Sequence, residues 1–369
     1  MSNKTRGTHF KRLLLSFLVL YTAYSLIPTA VYAIGQMGSS DASTKTNREA
    51  SASEPEPYSR APQDSPSPEN SSPAFLDGRR LPAPVSNTAS KNSFFTVYDA
   101  GTKQLLKVSE QEFLVSALAC EMDLSAPEEA LKAQAVVIYT LYSYKRASGE
   151  KVNGADFACD SESWLVYVPK EAMQERWGEN FEEYYAVLEA IAEDVCGQQL
   201  MINGRTACAT YFAISAGNTE TAENVWGPGL AYLQAVASPG DAFCDGYLSE
   251  AVFSADEIRD AAGQLAEKNF DFSGPEEDWF QNQERSPSGY TKSIQLGGVT
   301  LTGAELRSML SLRSACLEIS YADGSYTFTV RGWGHGVGMS QAGAVFLARQ
   351  GADYREILNY YYPGLSLSI

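Results

Sequence analysis

Hydrophobic and polar positions divide the chain into three stretches. Leu13 to Ala33 is almost wholly apolar, Gly35 to about Ser93 is rich in Ser, Pro, Glu, Ala and Asn, and from Phe94 onward apolar residues recur at regular spacings. Within the last stretch, Glu110 to Met122 carries apolar residues at 114, 118 and 122 and at 113 and 117, the spacing of one helical face. Ser125-Ala126-Pro127-Glu128 has the form of a capping box with proline in the first turn, so a second helix is expected to about Arg146. Asn180 with Glu183 caps another helix ending near Gly197, and Asp353 with Glu356 caps a last one before Pro363. Strands are expected at 198–203 and 205–214 across Asn203-Gly204, and at 313–321 and 326–332 across Asp323-Gly324. Helices and antiparallel hairpins in separate blocks predict an α+β fold over residues 94–369. One large domain, or two lobes sharing a substrate cleft, fits that length.

The N-terminal stretch adds a topology. Lys4, Arg6, Lys11 and Arg12 precede the apolar run with no acid among the first twelve residues. The 21 residues of the run reach ~30 Å as a helix at ~1.5 Å per residue, enough to cross a bilayer with the basic end inside. Residues 1–34 therefore read as a single-pass membrane anchor or, with small residues at Val31-Tyr32-Ala33, as a cleaved signal peptide. Pro28 and the length of the run favour the anchor. Both readings place the remainder outside the cytoplasm, held at the cell membrane or secreted. Residues 35–93 lack the apolar content for a core and read as a disordered Ser/Pro-rich linker.

Charge and cysteines narrow the partners. The formal net charge is −17, and −21 once the four N-terminal cations are set aside. That excludes a nucleic-acid footprint and favours a neutral polymer, or a locally basic groove on an acidic body. Six cysteines in an exported chain permit disulfides, with 15 pairings if all are used, or serve as small buried apolar groups. The hairpin at Asn203-Gly204 sets 199 opposite 208 and 196 opposite Tyr211, so Cys196 and Cys208 do not face each other. No cysteine stands in a nucleophile setting, which argues against a Cys/His hydrolase built on His335.

Gly332 to Gln341 reads Gly-Trp-Gly-His-Gly-Val-Gly-Met-Ser-Gln. Four alternating glycines suit neither helix nor strand, so the chain turns there, allowing close backbone approach and presenting Trp333 and His335. A tight structural turn is the plainer reading. Glu121 ends an apolar helix between Cys120 and Met122; a lone carboxyl in such surroundings has its pKa raised and can serve as a general acid. A solvated residue at a helix end is the alternative that the residues alone favour.

Three blocks alter that balance: EFLVSALACEMDLSAPEEALKAQAVVIYTLYSYKRA from Glu112, LTGAELRSMLSLRSA from Leu301, and GWGHGVGMSQAGAVFLARQGADYREILNYYYPG from Gly332. Together they resemble the stage II sporulation protein D family, which includes the amidase-enhancer proteins. The resemblance implies lytic transglycosylation of peptidoglycan in sporulation, between N-acetylmuramic acid and N-acetylglucosamine, on strands stripped of peptides. Glu121 falls where the family has its catalytic acid, and no cofactor is implied. Trp333, His335, Ser340 and Gln341 would line the site, with Ser215 and Asn218 facing the glycan. A non-catalytic glycan-binding module that stimulates a peptidoglycan amidase is the alternative; such an amidase and other membrane sporulation proteins are the expected partners. Two departures stand out. Tyr139 occupies a position where the family commonly has arginine, which would take a fixed donor from the acid or from an anionic substrate group. Asn153, Cys159, Ser163 and Trp164 stand at positions where zinc-binding members carry His and Cys, so no metal is expected.

Overall fold

The computed structural model describes residues 93–265 and 267–368. The apolar run 13–33 and nearly all of the linker lie outside these residues, and none of the helices described is long and apolar enough to cross a membrane.

Ser109 sets the first boundary. β1 (Phe94–Asp99) and β2 (Gln104–Ser109) pair antiparallel, and Ser109 then caps α1 (Glu110–Glu121) by accepting the Glu112 N–H. The expected apolar stripe of α1 is buried at Phe113, Leu114, Ala117 and Leu118. α2 (Glu128–Ser148) follows, but not through the capping box expected at Ser125: Asp123 takes the Ser125 N–H at 2.8 Å, and Pro127 stands at the cap with no side-chain bond. Gly149, at φ 76°, ends α2 in the left-handed conformation.

β3 (Phe157–Cys159) joins β1 in parallel. α3 (Lys170–Trp177) and α4 (Phe181–Val195) come next; Asn180 precedes α4 in a helical conformation and its side chain caps nothing. α4 packs on α1 and α2. The Asn203-Gly204 hairpin forms in the expected register, with Met201 opposite Thr206 between β4 (Gln199–Ile202) and β5 (Arg205–Thr206). The long strand expected over 205–214 breaks, because Tyr232 Oη takes the Cys208 N–H at 2.8 Å and the chain resumes as β6 (Tyr211–Phe212) with another partner. α5 (Ala222–Trp226) is capped by Thr221.

A second hydrophobic cluster begins at β7 (Leu248–Ser254) and α6 (Ala255–Gly263), then β8 (Phe280–Arg285), β9 (Thr291–Leu296), β10 (Val299–Thr302) and α7 (Gly303–Met309). β11 (Leu317–Ala322) and β12 (Ser325–Arg331) form the expected hairpin at Asp323-Gly324, both at positive φ, and β12 also pairs with β7. Phe328, Val330, Leu296 and Leu306 fill this cluster. The chain then returns to the first cluster through β13 (Met339–Ser340), which pairs in parallel with β6. α8 (Gln341–Arg349), α9 (Tyr354–Tyr361) and β14 (Ser366–Ser368), which pairs with β4, complete it. α9 carries the expected Asp353/Glu356 capping box. Helices with mostly antiparallel small sheets make the fold α+β.

The position lacking the family's arginine faces a buried network. Tyr139 is enclosed and donates to Glu110 Oε2 at 2.7 Å, while Arg146 donates to Glu110 Oε1 at 2.7 Å and Ser93 Oγ bonds the same oxygen. The phenol thus serves Glu110, and a guanidinium reaches that carboxylate from about two turns further along α2. Tyr139→Phe keeps the packing and removes one donor to a buried carboxylate. Its unfolding free energy in urea should fall by about 1–3 kcal/mol; an unchanged midpoint would mean that Arg146 and Ser93 suffice.

Candidate functional site

The glycine loop is bound to one segment by main-chain hydrogen bonds. Ile214 and Trp333 exchange them at 2.9 and 2.7 Å, the Met339 N–H reaches Thr210 O at 3.1 Å, and the Glu220 N–H reaches Gly336 O at 2.7 Å. Such an approach excludes side chains on the loop's inner positions. A Cβ on Gly338, at φ 87°, would stand 1.9 Å from Thr210 O, and one on Gly334 would stand 2.6 Å from Phe212 Cβ. The glycines therefore serve backbone contact, and β13 and the first residue of α8 are placed by it.

Gln341 is that first residue. Its Nε2 donates to the Glu121 carbonyl at 3.2 Å, and its side chain also bonds the Glu121 carboxyl, as does the Tyr211 side chain. Burial pushes the Glu121 pKa up, with Tyr211, Gln341 and the Lys145 charge pulling the other way. The residue as a whole is half-buried, and its carboxyl is enclosed by protein. Tyr142 hydrogen-bonds Tyr211, and the Lys145 ammonium lies 4.7 Å from the centre of the Tyr142 ring. Burial depresses the Lys145 pKa, against the opposing charges of Cys208 and Glu121. A carboxyl inclined to hold its proton thus sits near an ammonium inclined to lose one. Burial thus disfavours the charged form of both groups, and a carboxyl kept protonated is one that can serve as a general acid.

His335 is linked to Glu121 through Tyr211, whose side chain bonds Glu121 and whose backbone bonds the imidazole. Its Nδ1 accepts the Val337 N–H at 3.1 Å, and the ring packs on Phe212 and Trp226 at 5.6 and 5.0 Å. Burial, reinforced by the Arg307 charge, lowers its pKa from 6.5 to about 3, so the imidazole is neutral. Trp333 is half-buried, with the Arg313 guanidinium 4.5 Å above its ring.

Ser215 and Ser340 are fully buried, and their hydroxyls converge on Asp241. Ser340 donates to Oδ1 at 3.0 Å; the Ser215 N–H donates to Oδ2 at 3.0 Å, and the Ser215 hydroxyl bonds the same oxygen. Burial raises the Asp241 pKa to about 6, held down by Ser215, Ser238 and Ser340. Ser340 Oγ also accepts the Gly343 N–H at 3.2 Å, capping α8. Asn218 is half-buried and its carbonyl accepts the Tyr290 hydroxyl at 3.3 Å. The structure thus groups Glu121 with Gln341 and, through Tyr211, with His335, and sets Ser215 and Ser340 apart around Asp241.

Tyr211, Tyr142, Lys145, Asp241 and Arg313 escaped the sequence reading. Tyr211 was assigned only as part of a strand, Lys145 suits the last turn of a helix without further role, and Asp241 follows Pro239-Gly240 in an ordinary turn. Among the described residues no three His, Cys, Asp or Glu side chains are grouped to hold a metal ion. Cys159 is buried in β3, Ser163 Oγ bonds Asp160 at 2.9 Å, and Trp164 lies beneath the Arg176 guanidinium at 4.2 Å.

The sequence model of the family SpoIID: Stage II sporulation protein matches residues 98–196. Stage II sporulation protein D of Bacillus amyloliquefaciens is 32% identical over 278 residues, covering 74% of this chain and 78% of the relative. That of Bacillus subtilis (strain 168) is 29% identical over 274 residues, with the same two shares. The Amidase enhancer of Bacillus subtilis (strain 168) is 33% identical over 87 residues, 23% of this chain and 12% of that protein.

The two unusual titrations oppose each other in stability. His335 titrates lower folded than unfolded, so its contribution is present above pH 6.5 and is lost as pH falls toward about 3. Asp241 titrates higher folded than unfolded; its contribution is present below pH 3.8 and is lost as pH rises through about 6. His335→Gln should therefore flatten the acid limb, removing a loss of up to about 1.4 kcal/mol per pH unit between pH 6 and 4. Chemical denaturation at several pH values measures this, and parallel acid limbs for the two proteins would contradict a neutral buried imidazole.

Proposed function

From the premise that the chain belongs to the stage II sporulation protein D family, we propose that it is a membrane-anchored lytic transglycosylase cleaving peptide-free peptidoglycan strands. The observation that carries this reading is the enclosed Glu121 carboxyl, its pKa raised by burial, held by Tyr211 and by Gln341 of the glycine loop. Glu121 protonates the oxygen bridging N-acetylmuramic acid and N-acetylglucosamine. The muramyl 6-hydroxyl then attacks the anomeric carbon and returns its proton to the carboxylate, leaving a 1,6-anhydro end. Because the nucleophile is internal, no second carboxylate is required to position water, unlike the two-carboxylate hydrolases. Tyr211 and Lys145 stabilise the transient carboxylate, and activity falls as pH rises through the elevated Glu121 pKa.

Neutral His335 positions Tyr211 through its backbone, while Trp333 and Asn218 border the glycan. Ser215 and Ser340 act from beneath, fixing through Asp241 the start of the helix that carries Gln341. The apolar run at 13–33 anchors the protein in the membrane with the domain outside, alongside an amidase that strips peptides from the strands. The similarity to an amidase enhancer favours a second reading, in which the domain binds glycan without cutting it and stimulates that amidase.

One variant separates the two. Glu121→Gln preserves shape but holds no carboxyl proton, and should lower anhydro-product formation on denuded strands by ~10² or more, with strand binding retained. Mass analysis of the digest is the measurement. Anhydro ends from the variant at the wild-type rate exclude Glu121 as the acid, and none from either protein, with binding intact, leaves the enhancer reading.

A further inference from the structure

We infer that Arg313 recognises carboxylate on the glycan, selecting muramyl residues whose stem peptide has been removed. This rests on the glycan-cleaving reading above and adds a determinant of specificity to it. Arg313 is exposed, and its guanidinium lies between the Trp333 ring, 4.5 Å away, and the turn at Gly246, where a Cβ would stand 3.2 Å from Nη1. Its carbonyl accepts the Gly334 N–H at 2.8 Å and Arg307 Nε at 3.1 Å, tying the residue to the glycine loop.

Two other cations of this region have acids. Arg331 pairs with Glu318 at 2.7 Å and Lys268 with Glu305 at 2.6 Å. Arg313 forms no ion pair among the described residues, on a chain whose formal charge is −17, and Asp245 beside Gly246 does not pair with it. A guanidinium held against an indole, with its fork unclaimed, suits a planar anion bound through two hydrogen bonds.

Arg313 and the acid are linked through the glycine loop and the segment it binds. Trp333 is bonded in both directions to Ile214, three residues beyond Tyr211, whose side chain bonds Glu121. Three residues span at most roughly 10 Å. Hydrolysis of the amide between the muramyl lactyl group and its stem peptide converts a neutral amide into a carboxylate and releases an amine. Stripping therefore creates on the glycan the anion that Arg313 lacks, and an intact peptide both removes that charge and occupies its surroundings.

The test compares two polymers of equal length: denuded strands, and the same strands with each carboxylate coupled to methylamine as a neutral amide. Binding is measured with the full-length protein carrying Glu121→Gln, so that strands remain uncut, with Arg313 intact or replaced by Gln or Lys. The protein with Arg313 should bind the carboxylate form about tenfold more tightly than the amide form, the effect of a charge-assisted pair. Arg313→Gln should bind both as weakly as the parent binds the amide form. Arg313→Lys should keep part of the preference, because charge survives and the fork does not. Equal binding of both polymers by the Arg313 protein, or a preference undiminished in Arg313→Gln, overturns the assignment and leaves the glycan reading standing. Failure to bind either polymer removes that reading and this inference together.

Discussion

Main-chain contact between the glycine loop and the segment from Thr210 to Glu220 governs the geometry of everything around Glu121. Hydrogen bonds at 210, 214 and 220 leave no space for a side chain on the loop's inner positions, and Gly338, against the Thr210 carbonyl, is the tightest. Once that approach is made, the outer positions and the following residues are determined. Trp333 and His335 project from the loop, β13 pairs with β6, and Ser340 opens α8 with Gln341 one step behind it. The second cluster joins the same contact, because Tyr290 lies over Gly336 and Ser286 bonds the buried Glu220.

Three enclosed carboxyls show how environment assigns different work to one functional group. Glu110 has a guanidinium and two hydroxyls, the satisfied arrangement expected of a structural ion. Asp241 has hydroxyls and an amide, so it joins three segments while its affinity for a proton rises. Glu121 has a phenol, an amide and a more distant ammonium, and of the three it belongs to the one residue that is only half-buried. Glu110 and Asp241 thus tie segments together, and Glu121 is the carboxyl to which the proposed reading gives a chemical role.

Local signals read well. The Asn203-Gly204 and Asp323-Gly324 hairpins, the Asp353 capping box and the apolar stripe of α1 depend on neighbours in sequence, and the structure has each of them. Features that require a distant partner were not legible. Tyr232 breaks the strand expected over 205–214 from 24 residues away, and the sheet of β8, β9 and β10 has polar exposed positions that hide its alternation. Asp123 likewise moved the start of α2 by taking the Ser125 amide. In the site, the motif residues 332–341 and Glu121 were visible, whereas Tyr211, Lys145 and Asp241 acquire meaning only through packing. The arginine-for-tyrosine difference at 139 looked functional in sequence and proved to concern Glu110, because helix periodicity alone does not say which acid a residue faces.

The bond from Gln341 to Glu121 spans 220 residues of chain. Synthesis makes α1 well before the side chain that hydrogen-bonds its last residue, so the order of synthesis separates Glu121 from Gln341 in time. Until β13 docks on β6, Glu121 sits at an open helix end with the proton affinity of any solvated carboxyl. Contacts so distant in sequence form late and slowly. Completion of the fold therefore supplies the surroundings of Glu121: a partly made chain carries the carboxyl without the setting that shifts its proton affinity.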